Sequence, residues 1–223
     1  MQRLFFGRLF RSPGRNPVSK ACAKRMIMHV LSTRHAEFWN IWTSVLPLAI
    51  FTLLLQERKH HANIASSSVH IACITCQLCS ATYHTFNHIS PRAARALFNL
   101  DLAGVCCMAL GSPWMYKTGF RTTDGLGVYT GVLLALTSWC LFLIARAALR
   151  DREAACERWM LALSAVGSFP ALARPETTAA AATVLLGYVL FFRLRLVPGR
   201  LNHVLWHCSV FVGQLGFVVY TVP

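Results

Sequence analysis

Seven blocks of apolar residues fill most of this chain and leave it few folds. They run near 39–55, 64–88, 98–117, 125–146, 159–174, 178–193 and 203–222. A bilayer core about 30 Å thick asks for about 20 apolar residues in a helix rising about 1.5 Å per residue. The first, fifth and sixth blocks are shorter than that. The fifth and sixth meet at Arg174, Pro175 and Glu176, where proline breaks the helix and predicts a helical hairpin. Soluble folding is excluded by composition. Only 13% of residues are charged, while 55% are hydrophobic, against about 25% charged in an ordinary soluble domain. Lipid offers the backbone no hydrogen-bond partner, so blocks of this length become helices. The reading is an all-α, multi-pass integral membrane protein. It has seven transmembrane helices over residues 36–223, behind a basic cytosolic tail of residues 1–35.

The net charge of +14 does not point to nucleic acid. The basic residues lie between apolar blocks, where topology and anionic headgroups place them. With the N-terminus in the cytosol, the inner side holds 17 of the 22 Lys and Arg and the outer side 5. That bias sets the N-terminus inside and the C-terminus outside. The tail, with Arg3, Arg8, Arg11, Arg15, Lys20, Lys24 and Arg25 and no acid before Glu37, also has the composition of a mitochondrial transit peptide. A cytosolic tail is preferred because topology alone accounts for its charge. Cys73 and Cys76 have the C-x-x-C spacing of metal or redox motifs. Both sit in mid-block with no second pair nearby, so they read as small apolar residues.

Polar groups inside the blocks are costly to bury in lipid and therefore informative. His84 lies near the end of the second block, with Ser80 four residues before it. Asp101 is placed in the first turn of the third helix, and His203 and His207 open the seventh. The orientation puts all of them in one layer, a turn or two beneath the inner interface. His203 and His207 are i and i+4 and share one helical face. Three imidazoles leave one tetrahedral position open to water, as in a catalytic zinc site. Asp101 could take a proton from that water, and Ser80 could hold the water or a substrate oxygen. The alternative is interfacial histidines bonded to backbone, as His35, His60, His61 and His70 read. His88 competes with His84 as a ligand.

Ser80-Ala81-Thr82-Tyr83-His84 and Phe98-Asn99-Leu100-Asp101-Leu102-Ala103-Gly104-Val105 resemble the S-x-x-x-H and L-D-Y-x-G-I elements of the progestin and adipoQ receptors, which include adiponectin receptors and haemolysin III-related proteins. His203-Val204-Leu205-Trp206-His207 is similar to that family's H-Q-x-x-H. Arg34 to Thr43 resembles its H-x-E-x-x-N-I-W-T-H stretch, with Ser44 in place of the last His. The resemblance runs from about residue 34 to 215. It implies seven helices, an inward N-terminus, and Zn2+ on His84, His203 and His207 with Asp101 and Ser80 around the bound water.

The expected function is hydrolysis of a ceramide-like lipid amide entering from the inner leaflet, with membrane lipids as partners. The alternative is a receptor or signalling protein with structural zinc and an extracellular or steroid ligand. A transporter fits less well, because transporter sites lie at the midplane and this polar set lies near one interface.

Overall fold

The computed structural model describes residues 37–57, 64–115, 175–197 and 201–221, with Met28, Ser32 and scattered helical positions between 131 and 146. The tail of residues 1–35 apart from those two positions, most of the fourth block and all of the fifth lie outside the described residues. Everything with regular structure among the described residues is helical.

Helix α1 spans Phe38–Glu57, α2 Ile64–Phe86, α3 Pro91–Met115, α4 Pro175–Gly187 and α5 Leu201–Thr221. A π-helical segment, Tyr188–Arg193, continues α4. Among the described residues two helices are long and apolar enough to cross a bilayer, Phe38–Glu57 and Leu201–Tyr220. At about 1.5 Å per residue, the 23 residues of α2 and 25 of α3 are also long enough. They carry more polar residues, and the buried ones on α2 include His70, Gln77, Ser80 and His84.

The residue distribution on α1 is inverted relative to a soluble helix. Trp39, Trp42, Leu46 and Leu53 are exposed, at 57%, 45%, 58% and 64%, while Asn40 and Ser44 are buried. Water would select the opposite arrangement. A lipid-facing surface with polar groups turned inward explains it.

The third helix begins earlier than the apolar pattern indicates. Ser90 accepts a hydrogen bond from the Ala93 N–H on its side-chain Oγ at 3.1 Å, and from the Ala94 N–H on its carbonyl at 2.8 Å. It thus caps the helix. Pro91 occupies the first helical position, where its missing N–H costs nothing. Arg92 and Arg95 therefore sit on the first turns of α3 and not in a loop. Asp101 is correspondingly not in the first turn. It is the eleventh residue of the helix, about 15 Å along it.

Behind the polar end, Phe51, Val69, Cys73, Ala180, Phe217 and Val218 form an apolar cluster joining α1, α2, α4 and α5. Cys73, Cys76 and Cys79 are free and buried, in keeping with packing rather than redox chemistry. Close approach between helices relies on glycine at two positions. A Cβ on Gly104 of α3 would come 2.9 Å from Cys79 Cβ and 3.1 Å from Cys76 Cα on α2. A Cβ on Gly213 of α5 would strike Val184 and come 2.9 Å from the Ala180 carbonyl of α4. Gly213→Val is expected to destabilise the fold by about 1–3 kcal/mol through overpacking. A thermal melt in detergent against wild type measures it.

Candidate metal centre

The helix ends that meet at one end of the bundle are the start of α1, the end of α2 and the start of α5. Each brings polar side chains inward. His84 ends α2 on its buried face, and His203 and His207 lie in the first two turns of α5. The start of α5 is fixed by Asn202, which is buried. Its side chain accepts from the Val197 N–H at 3.1 Å and donates to the Val197 carbonyl.

The three imidazoles converge through their Nε2 atoms. His203 Nε2 lies 3.3 Å from His84 Nε2 and 3.0 Å from His207 Nε2. The three candidate ligand atoms all fall within 4.8 Å of one another. Three nitrogens bound tetrahedrally at about 2.0–2.1 Å to zinc would be about 3.3 Å apart. Among the described residues this is the one group of three or more His, Cys, Asp or Glu able to hold an ion. His88 and the C-x-x-C thiols are not part of it.

The outer ring nitrogens fix the tautomers. His84 Nδ1 is 2.8 Å from Glu37 Oε2, and Asn40 Nδ2 donates to the same oxygen at 2.8 Å. Burial works to raise the Glu37 pKa. Hydrogen bonds from His84 and Asn40 outweigh it and hold the carboxyl well below its usual range. A carboxylate only accepts, so His84 Nδ1 carries the proton. His207 Nδ1 lies 3.1 Å from Ser44 Oγ, whose hydroxyl donates to the Asn40 carbonyl at 3.1 Å. With its proton on the Asn40 carbonyl, the Ser44 oxygen can accept from His207 Nδ1–H.

A ring that donates through Nδ1 in this way keeps an Nε2 lone pair for the centre of the cluster. A single proton on His203 Nε2 can satisfy one such lone pair, not two. A cation satisfies all three, and the carboxylate–histidine pairing behind His84 is the usual support of a metal ligand. The donor set therefore fits a divalent ion such as zinc. Glu37→Gln is expected to weaken zinc binding about 10- to 100-fold, the usual effect of losing such a partner. Competition with a chromophoric chelator reads it.

Asp101 and Ser80 stand beside the histidines. Asp101 is buried close to Ser80 and His84. Ser44 Oγ lies 3.3 Å from Ser80 Oγ. Ser44 thus links His207 to Ser80, with Asp101 nearby. Sequence reasoning named His84, His203, His207, Ser80 and Asp101, and the structure brings all five to one end of the bundle. It assigned no role to Glu37, Asn40 or Ser44. The signal for all three was the H-x-E-x-x-N-I-W-T-H-like stretch, read only as a likeness.

These features define a class: a helical membrane protein with a buried three-histidine cluster at one end of its bundle. The sequence profile of the Haemolysin-III related family matches residues 32–218. The chain belongs to that family. No curated protein matches it in a direct comparison.

Proposed function

We propose that the chain is a zinc-dependent hydrolase of ceramide-like lipid amides, working at the inner leaflet. In this reading residues 36–223 form seven transmembrane helices behind the cytosolic tail 1–35, with the N-terminus inside. The observation that carries the reading is the convergence of three imidazole nitrogens next to Ser80 and Asp101. The excess of Lys and Arg on one side of the blocks supports the orientation. The location of the cluster at the ends of α1, α2 and α5 fits a substrate whose polar head stays near the interface.

His84, His203 and His207 would hold the ion. Zinc so bound would lower the pKa of a water toward ~7 and polarise the scissile carbonyl. Asp101 takes the proton from the attacking water and delivers it to the leaving amine. Ser80 steadies the oxygen on which charge develops. Glu37 and Ser44 keep His84 and His207 in the tautomer that presents Nε2. Three protein ligands, with no fourth in the group among the described residues, would leave room at a bound ion for substrate.

The test is to incubate the purified protein with matched lipid amides and esters and to measure free fatty acid. Release from ceramide-like amides, abolished by chelation and restored by zinc, is the expected result. No release from any lipid, together with saturable binding of a ligand to the outer face, would replace the hydrolase with a receptor.

A further inference from the structure

One heptad deeper than the histidines lies a second buried polar contact. Gln77 of α2 donates through Nε2 to Gln214 Oε1 of α5 at 2.6 Å. The two side chains are 3% and 2% exposed. Gln77 stands seven residues before His84, and Gln214 seven residues after His207. The two helices run antiparallel here, so equal offsets mean equal depth, about 10.5 Å from the histidines along each helix. Resting on the metal reading above, we propose that the Gln77–Gln214 bond is a register clamp that aligns the ligand of α2 with the two ligands of α5.

The need for a clamp follows from the surroundings. Below the glutamines, α2 and α5 meet through Val69, Cys73, Phe217 and Val218. Apolar side chains in lipid tolerate sliding, because dispersion contacts are non-directional and lipid competes for them equally. A slip of one helical turn, about 5.4 Å, would keep an apolar interface while carrying His207 away from His84. It would also strip both amides of their partner in a place without water. Fixing register is the best-attested use of buried polar pairs.

The pair is braced from behind on both helices. Gly104 of α3 presses on Cys76, next to Gln77, and Gly213, next to Gln214, presses on α4. Neither helix can rotate its glutamine away without meeting a neighbour. Among the described residues Gln214 Nε2 has only the weak Cys76 thiol beside it, so the Gln77 bond is the one strong bond that amide makes.

The test uses the full chain in detergent, stripped of metal and titrated with Zn2+ and with Co2+. Gln77→Met and the double variant Q77M/Q214M keep volume while removing the bond. Both are expected to bind zinc at least about tenfold more weakly, the scale seen when an outer support of a ligand is lost. Their cobalt d–d bands should also differ from those of wild type, and their helical content should not. Gln77→Glu, whose neutral carboxyl can still bond Gln214, is expected to restore wild-type affinity and spectrum. Wild-type affinity with an unchanged cobalt spectrum in Q77M/Q214M would overturn the clamp and leave the metal centre standing. Equal weakening in Gln77→Glu and Gln77→Met would overturn it too, since shape and not the bond would then matter. A wild-type chain that takes up no zinc would overturn the metal reading and the clamp together.

Discussion

Purified His203→Ala and His207→Ala proteins are expected to lose the zinc ion that the proposed site would hold in wild type. Each of the three imidazoles supplies one nitrogen to the group. Neighbouring protein groups cannot readily replace a lost nitrogen, because no other His, Cys, Asp or Glu joins the group among the described residues. Zinc sites in small proteins hold their ion by about 10–16 kcal/mol over four ligands. Removing one ligand of three should thus weaken binding by on the order of 10²–10³-fold or more. The two variants should also differ. His207 leaves Ser44 without its partner, whereas His203 bridges His84 and His207 within the cluster. Metal analysis after extended dialysis reads the loss. Full retention of one zinc per chain in both variants would show that the ion, if present, sits elsewhere.

Asp101→Asn separates chemistry from binding. Asp101 is not in the ligand group, and an amide keeps its size and an accepting oxygen. Zinc should therefore stay bound at close to wild-type affinity. An amide cannot take a proton, so hydrolysis should fall by about 10²–10⁴-fold, the usual contribution of general acid–base catalysis. The loss should appear in kcat with little change in KM. Wild-type turnover in this variant would remove Asp101 from the reaction. Loss of zinc along with activity would instead make it a support of the metal.

Some of this was legible in the chain because the physics is local. His203 and His207 share a face by helical periodicity alone, and the charge bias led to the expectation that His84 lies level with them, where the structure brings the three rings together. The remaining site residues were obscured for identifiable reasons. Glu37 lies just before the apolar run of α1, so a search confined to polar residues inside the blocks passes over it. Ser44 is a small residue in an apolar run, and its bond to His207 crosses 163 positions of sequence. The early start of α3 was hidden because Arg92 and Arg95 look like a loop when hydropathy alone is read. Gln77 and Gln214 each look like a single tolerated polar residue, and only their meeting gives them meaning.

The sequence by itself determined that the chain is helical and belongs in a membrane, because lipid rejects unpaired backbone and the apolar blocks leave no other solution. It also singled out which polar residues are too costly to be there without a task. Only the tertiary structure decided which ring nitrogens face one another, which carboxylate stands behind His84, and how α2 and α5 are set in register. Those choices depend on side chains from distant stretches meeting at hydrogen-bond distance, and apolar packing between helices in lipid is too permissive to dictate them from pattern alone.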